Sequence, residues 1–289
     1  MKYKLFYFLF SLIFLLPGGY FLITHSLNLS IDFTGGSLIE FTASADLEQL
    51  RPLIESQFEI SSLQTAGQND FLLRTSVLTQ AQHDQLITAL QAGFTNVAPV
   101  RFETVGPILG QELIKKTLVG ILLAAGFILS YVAYRFHDKK YGICAILAML
   151  HDTFIVLGVF SFLGVYLGVE VDALFVTALL TILSFSVHDT IVVYDRIRES
   201  QKLFPQQTYT QLVNKAVTET LGRSLNNSLT IIFMLLALYL LGGDTTKWFV
   251  FALLIGTISG TYSSTFTAAP LLVLWEEIKR KHTNTSKVL

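Results

Sequence analysis

Six long apolar runs constrain this chain more than any other feature of its sequence. A helix needs about 20 mostly apolar residues to cross a hydrocarbon core of about 30 Å. Hydrophobic residues make up 52% of the 289 residues and charged residues only 14%, which excludes an ordinary soluble protein. The sequence therefore predicts an α-helical polytopic membrane protein with six transmembrane helices. The runs are approximately Leu5–Ile23, Leu118–Tyr134, Tyr141–Tyr166, Ala173–Tyr194, Leu225–Leu241 and Trp248–Trp275.

The positions of the basic residues predict how these helices are oriented. Most of the 20 lysines and arginines lie near the two termini or in the second-to-third and fourth-to-fifth helix connections. Basic connections stay in the cytoplasm, so both termini are predicted to be cytoplasmic. The first run resembles a signal peptide, but its length and the missing small-residue cleavage site favour a retained anchor. The basic residues on the predicted cytoplasmic side are Lys2, Lys4, Arg135, Lys139, Lys140, Arg196, Arg198, Lys202, Lys215, Arg223, Lys279, Arg280, Lys281 and Lys287.

Residues 25–113, between the first two runs, have the composition of a soluble domain. Their alternation and turn residues predict the order βαββαβ, a ferredoxin-like α+β arrangement, here outside the membrane in the periplasm. The predicted elements are a strand at Ser37–Ala43, a helix from Asp46 to Phe58, strands at Ile60–Ala66 and Asp70–Ser76 around Gly67 and Asn69, a helix from Thr79 to Ala92 and a strand at Val97–Thr104. We thus predict a first transmembrane helix at 1–24, this domain at 25–113 and a five-helix bundle at 114–289.

Two aspartates lie inside predicted membrane helices. Asp189 occurs in SVHDTIVVYDRIRES and Asp152 in the similar stretch LHDTFIVLGV. A carboxylate at such a depth is costly, and intramembrane acids commonly mark ion pathways. Asp195 already supplies a charge at the membrane boundary, which favours an ion-relay role for Asp189 over a boundary residue. Asp152 is either a second relay group or a structural partner for a hydroxyl, and the sequence leaves both open.

Several polar and small residues form the predicted surroundings of these acids. Histidine is a common proton shuttle in proteins, which makes His151 and His188 candidates for the relay environment, although a hydrogen bond to a neighbouring helix is the expected role of each. The entering fifth helix carries one polar face by its 3.6-residue period, comprising Arg223, Asn226, Asn227 and Thr230. Arg223 is also consistent with a positive cytoplasmic flank. The sixth helix has a small-residue face, interpreted as helix packing, with Gly256, Gly260, Ser263, Ser264 and Thr267.

Four separate stretches resemble the SecF branch of the SecD/SecF family of protein-export membrane subunits. They are IDFTGGSLIEF, VGPILGQEL, SVHDTIVVYDRIRES and LYLLGG. The chain departs from the family pattern before Asp189, where His188 replaces an expected asparagine. The resemblance implies that Arg223 is the relay arginine. The DFTGG stretch, with Asp32, Gly35 and Gly36, is interpreted as a turn or interface motif, because no P-loop lysine follows it.

The resemblance also implies what such a protein does. Members belong to the resistance-nodulation-division superfamily, and the implied partners are SecD, the SecYEG translocon, unfolded exported polypeptides and the lipid bilayer of the bacterial inner membrane. The implied function is to use a proton or sodium gradient to promote late, periplasmic steps of protein export.

The remaining sequence features argue against other classes of function. No nucleophile–base set, nucleotide motif or metal-ligand spacing occurs, so we expect no enzymatic activity and no cofactor apart from the coupling ion. A net charge of -1 gives no reason to expect nucleic acid. Two alternatives stay open. One is a small-molecule exporter of the same superfamily, which usually has twelve helices, and the other is a scaffold subunit that transports nothing.

Overall fold

The computed structural model describes residues 1, 3–65, 69–136 and 138–285, with their side chains except those of residues 244 and 281–285. Ala66, Gly67, Lys2 and Lys287, which the sequence predictions include, lie outside these ranges. In chain order the elements are α1 (Lys4–His25), α2 (Ile31–Thr34), β1 (Gly36–Thr42), α3 (Leu47–Glu55), β2 (Ile60–Thr65), β3 (Asp70–Thr75), α4 (Gln80–Gly93), β4 (Ala98–Val105), α5 (Pro107–Phe136), α6 (Lys139–Leu167), α7 (Ala173–Leu203), α8 (Tyr209–Leu241), α9 (Asp244–Ser263), a π-helical turn (Ser264–Ala268) and α10 (Ala269–Thr285).

Among the described residues, six helical segments are long and apolar enough to cross a membrane, which confirms the predicted number. They are α1, α5, α6, α7, α8 and the continuous segment formed by α9, the π turn and α10. Several extend past the apolar runs because intrahelical hydrogen bonds continue into the polar flanks. Polar caps fix the starts of two of them. The Asp172 carboxylate accepts a bond from the Phe175 N–H of α7 at 2.7 Å, and Thr208 with Gln211 forms a capping box on α8.

Residues Leu29–Val119 form one compact unit around a small antiparallel sheet. The strand order is β2-β3-β1-β4, and the chain follows the predicted sequence of strands and helices. Alternate residues of β1 and β3 face the core, where the Phe41 and Phe71 rings stack with centroids 5.6 Å apart. Leu50 of α3 and Leu86 of α4 are fully buried in the same core. Apolar alternation therefore positions both helices over one face of the sheet.

Residues Met1–Asn28 and Gly120–Leu289 form a second compact unit, a helical bundle. Its central helix is α7, which contacts α6, α8 and α9. Tyr194 of α7 is completely buried, and its hydroxyl donates to the Ala268 carbonyl at 3.2 Å. α1 joins the bundle by a close approach to α6, since a Cβ atom on Gly158 would lie only 2.5 Å from the Gly18 Cα. The bundle thus surrounds α7, which carries Asp189.

The sixth apolar run, predicted as one helix, is divided by the π turn at Ser264–Ala268. Pro270 is the second residue after the turn. Proline has no N–H, and its ring clashes with the carbonyl four residues earlier, which here belongs to Phe266. Widening the helix by one residue per turn relieves that clash, so the sequence itself explains why the turn forms here. Single π turns often occur at functional sites.

Candidate functional site

Within the part of the chain that the structure describes, two buried carboxylates lie inside the helical bundle, one on α6 and one on α7. Asp152 is 1% exposed and Asp189 is 6% exposed. Buried charges require hydrogen bonds or ion pairs, because an isolated ion in an apolar interior is very unfavourable. The side chains that satisfy each carboxylate therefore define what each group can do.

Asp152 is surrounded by hydrogen-bond donors. Its Oδ2 atom accepts from Ser186 Oγ at 2.5 Å and Ser263 Oγ at 2.6 Å. Its Oδ1 atom accepts from Ser259 Oγ at 2.6 Å and lies 3.0 Å from His151 Nδ1. A carboxylate has about four acceptor positions on its two oxygens, so this set fills all of them. Asp152 thereby ties α7 and α9 to α6.

Asp189 has fewer partners, and they lie on one oxygen. Its Oδ2 atom accepts from Ser224 Oγ of α8 and from Ser264 Oγ of the π turn, each at 2.6 Å. In the described part of the chain, no hydrogen bond reaches Oδ1. Asp189 therefore keeps an acceptor atom that is available for a proton or another ligand.

The two carboxylates share a short stretch of the sixth segment. Ser263 donates to Asp152 and the next residue, Ser264, donates to Asp189. On α7, Ser186 donates to Asp152 and lies one helical turn before Asp189. The two sites are thus joined through adjacent residues at the start of the π turn.

The predicted polar face of α8 points away from Asp189. Arg223, Asn226, Asn227 and Thr230 have exposed side chains, whereas Ser224 and Ser228 are buried. Within the described residues no ion pair joins Arg223 to Asp189. A rotation of about 100° per residue separates neighbouring positions on a helix, so the inward position belongs to Ser224. The relay role of Arg223 stays a prediction, and in this chain its side chain is open to a partner or to lipid.

The two histidines differ in their surroundings. His151 is buried, its Nδ1 atom contacts Asp152, and its ring stacks on Tyr262 with centroids 6.3 Å apart. Its Nε2 atom is buried with no hydrogen-bond partner among the described residues. His188 is exposed. The sequence repeat HDT therefore places equivalent histidines in opposite environments.

Two glycines bring α9 close to α7. A Cβ atom on Gly256 would meet the Ile182 side chain at 2.3 Å, and one on Gly260 would lie 3.4 Å from Ser186. Small residues permit this approach, which carries the Ser259 and Ser263 hydroxyls to Asp152. The predicted small-residue face thus does more than pack the helices, because its serines Ser263 and Ser264 donate hydrogen bonds to the two carboxylates.

The DFTGG stretch lies in the compact unit that contains the sheet. Ser30 caps the short helix α2 by accepting a bond from the Asp32 N–H at 3.2 Å. Gly35 and Gly36 have φ angles of 74° and 122°, a region that favours glycine. A Cβ on Gly35 would lie 2.8 Å from the Pro107 Cα. The two glycines therefore form a tight turn against the start of α5.

The sequence does not predict that serine side chains surround the two carboxylates. Ser186, Ser224 and Ser259 were not singled out, and Ser263 and Ser264 were interpreted as packing residues. A usable signal was the recurrence of serine at helical spacing, since Ser259 and Ser263 are four residues apart and share one face. Among the described residues no group of three or more His, Cys, Asp or Glu side chains is placed to hold a metal ion.

Six apolar helical segments with two hydroxyl-bound carboxylates in the bundle define a polytopic membrane protein with an acidic interior. Residues 85–278 match the family model "Protein export membrane protein SecD/SecF, C-terminal", and residues 20–46 match the "SecD/SecF GG Motif". The chain belongs to the SecD/SecF family of bacterial protein-export membrane proteins, which confirms the resemblance.

Individual relatives cover nearly the whole chain. The protein translocase subunit SecF of Thermobaculum terrenum is 43% identical, over 96% of this chain and 93% of that protein. The corresponding subunit of Anaerolinea thermophila is 38% identical, over 93% of this chain and 91% of that protein. The crystal structure of SecDF from Thermus thermophilus matches 96% of this chain and 38% of its own longer chain, with a TM-score of 0.86 at 34% identity.

Proposed function

We propose that this chain is an accessory subunit of Sec protein translocation that couples movement of an ion through its helical bundle to export of an unfolded polypeptide. Its relatives named protein translocase subunit SecF support the assignment to translocation. In this proposal Asp189 carries the coupling ion, and Asp152 holds the helices around it. The alternative is a scaffold subunit that transports nothing. It does not explain why Asp189 is buried with an Oδ1 atom that accepts no hydrogen bond within the described residues.

The contrast between the carboxylate oxygens carries the proposal. An ion relay must bind and release its ion, so it needs an acceptor that the protein does not occupy permanently. Asp189 Oδ1 meets this requirement, whereas both oxygens of Asp152 are filled. Intramembrane carboxylates that face a bundle interior are typical of proton and ion pathways.

A proton is the coupling ion that this site supports best. Protonation needs one free acceptor position, and Asp189 Oδ1 supplies it. A sodium ion needs several oxygens arranged around it, and among the described residues no group of three or more His, Cys, Asp or Glu side chains is placed to hold a metal ion. We therefore propose proton coupling, with sodium as the alternative that the experiment below separates.

A homologous partner is part of the proposal. Apolar side chains remain exposed on α1, α5 and α8, including Leu5, Leu122 and Phe233. This chain corresponds to 38% of the SecDF chain of known structure, so a SecD-like subunit would supply the remainder and cover part of this surface. We propose that Arg223 faces that partner or the ion path between the two subunits, within an assembly around SecYEG.

We further propose that residues 25–113 form a ferredoxin-like domain on the periplasmic side and that both termini are cytoplasmic, in the inner membrane. The strand order β2-β3-β1-β4 with two helices on one face supports the first part. The distribution of lysine and arginine supports the orientation. In a Cys144→Ala background, cysteines placed at the exposed positions Glu48 and Gln206 should then be labelled from opposite sides of the membrane.

Gradient-driven export tests the function. The chain, a SecD-like partner and the SecYEG channel are reconstituted in vesicles, ATP is removed after export has begun, and either a proton gradient or a sodium gradient is imposed. We expect the proton gradient alone to complete export, and Asp189→Asn to abolish that effect. If only the sodium gradient completes export, the coupling ion is sodium and not the proton. Completion without any gradient, or gradient-driven completion by Asp189→Asn, would overturn the proposal.

A further inference from the structure

The π turn at Ser264–Ala268 contains a threonine whose hydroxyl differs from those of several other helical threonines of the bundle. The Thr267 hydroxyl is buried and has no hydrogen-bond partner among the described residues. Several other helical threonines of the bundle donate to the carbonyl four residues earlier. Examples are Thr153 to Met149, Thr181 to Thr177, Thr190 to Ser186, Thr220 to Ala216 and Thr261 to Thr257.

The π geometry explains why Thr267 differs. In an α-helical turn its hydroxyl would reach the Ser263 carbonyl, four residues earlier. A π turn bonds five residues back and inserts an extra residue, so this carbonyl is displaced from the hydroxyl. Closing the turn to α geometry would therefore supply the missing partner.

Two other residues favour the open π turn. Pro270 clashes with the Phe266 carbonyl in a regular α-helix, and Ser264 is held by its bond to the Asp189 carboxylate at 2.6 Å. The Thr267 hydroxyl favours the α form instead, because α geometry would supply the hydrogen-bond partner that it lacks in the π form. Opposing contributions within one turn are what a two-state element requires.

We infer that the π turn is the element that transmits the charge of Asp189 to α10. This inference rests on the proposed function, since it takes Asp189 as the group that binds the coupling proton. A hydrogen bond to a carboxylate is about twice as strong as one to a neutral acceptor. Protonation of Asp189 therefore weakens its hold on Ser264, and the turn closes to satisfy Thr267.

Closing the turn changes the register of α10 against its neighbours. The residues that follow shift by up to one helical step, about 1.5 Å along the axis. Midway along its length α10 is held by ion pairs of Glu276 with Lys140, at 3.5 Å, and of Glu277 with Lys4. A shift of α10 therefore reaches α6 and α1, while Ser263 stays bound to Asp152 and fixes the end of α9.

Other titratable groups surround the same level of the bundle, so the test has to separate them. They are His151 and Asp152 on α6, His188 on α7, Arg223 on α8 and Tyr262 on α9. Of these groups, within the described residues, Asp189 alone is hydrogen-bonded to the π turn, through Ser264; the Tyr194 hydroxyl of α7 also reaches the turn, at the Ala268 carbonyl. A signal that originates at another group would not depend on Ser264.

Trp275 offers a direct reporter on α10. The chain contains two tryptophans, so Trp248→Phe leaves Trp275 as the single one. Its emission spectrum is recorded for the full-length chain in lipid nanodiscs, across the pH range in which buried carboxyl groups titrate. We expect two plateaus joined by one transition, and Asp189→Asn should remove the transition.

Variants of the turn should fix the reporter in opposite states. Ser264→Ala breaks the link to Asp189 and should give the acid-form spectrum at every pH. Deletion of Thr267 removes the extra residue while keeping the helices on both sides in their present register, and should give the high-pH spectrum throughout. Thr267→Val removes the unpaired hydroxyl from the π form and should move the transition to lower pH.

Ser224→Ala is the matched control. It removes a bond of the same length to the same Asp189 oxygen, but from α8 rather than from the π turn. It should keep both plateaus and change only the midpoint. If Ser264→Ala and the deletion respond like the parent chain while Asp189→Asn does not respond, this inference is wrong and the proposed function stands. If the parent chain shows no transition, or Ser224→Ala abolishes it as Ser264→Ala does, the inference also fails.

Discussion

Asp152 and Asp189 occur in nearly the same sequence, HDTFIV and HDTIVV, on adjacent helices, but they occupy different kinds of site. Asp152 uses both oxygens to accept bonds from three serines and contacts His151. Asp189 uses one oxygen for two serines. The difference teaches that the partners on neighbouring helices decide how many acceptor positions of a buried acid are occupied.

The largest effect on export is expected at Asp189, which accepts hydrogen bonds on one oxygen. Asp189→Asn keeps the shape of the side chain and removes its titration, so we expect normal assembly and stability but export at the level seen without a gradient. Export into reconstituted vesicles measures the loss, and thermal unfolding of the purified complex measures the stability. Normal gradient-driven export by this variant would mean that Asp152 or a carboxylate of the partner carries the ion.

The corresponding change at Asp152, whose two oxygens both accept hydrogen bonds, should reduce stability and leave gradient dependence in place. Asp152→Asn leaves donors without a charged acceptor, and each stranded buried donor costs about 1–3 kcal/mol. We expect a lower unfolding temperature and less assembled complex, but gradient dependence that persists per assembled complex. A stable Asp152→Asn complex that has lost only its gradient dependence would erase the distinction between the two sites.

Single serine variants test the same comparison, with smaller expected changes in stability and export. Ser186→Ala removes one of four partners of Asp152, and a hydrogen bond to a charged group contributes about 1.5–3 kcal/mol. Ser224→Ala removes one of only two partners of Asp189. We expect Ser186→Ala to reduce stability with little change in the pH dependence of export, and Ser224→Ala to shift that pH dependence. Parallel pH profiles for both variants would contradict the assignment.

The smallest effect is expected for the charge-conserving change at Arg223. Its side chain is exposed in this chain and makes no ion pair with Asp189 within the described residues. Arg223→Lys keeps the charge and loses the planar fork, so export should be reduced only partly, whereas Arg223→Gln should reduce it further. The matched control is Asn227→Ala, an exposed change on the same helix. Equal activity of the lysine and glutamine variants would show that export does not require a positive charge at position 223.

Some of the candidate site was accessible from the sequence. Asp189 and Asp152 were identified because a carboxylate in an apolar run is unusual whatever surrounds it. The sequence does not indicate which face of α8 points inward, since Arg223 and Ser224 are neighbours and both are polar. Periodicity shows which residues share a face, but it does not show which face packs against α7.

The sequence by itself determined the six apolar helices and the alternating pattern of the small sheet, because burial in lipid or in a core leaves a local periodic pattern. Pro270 is likewise a local cause of the π turn. Only the tertiary structure decided that Ser263 serves Asp152 while Ser264 serves Asp189, and that α8 contributes Ser224. Hydroxyls on separate helices reach a carboxylate only when the helices pack at one distance and one rotation, and that geometry depends on all the neighbouring side chains together.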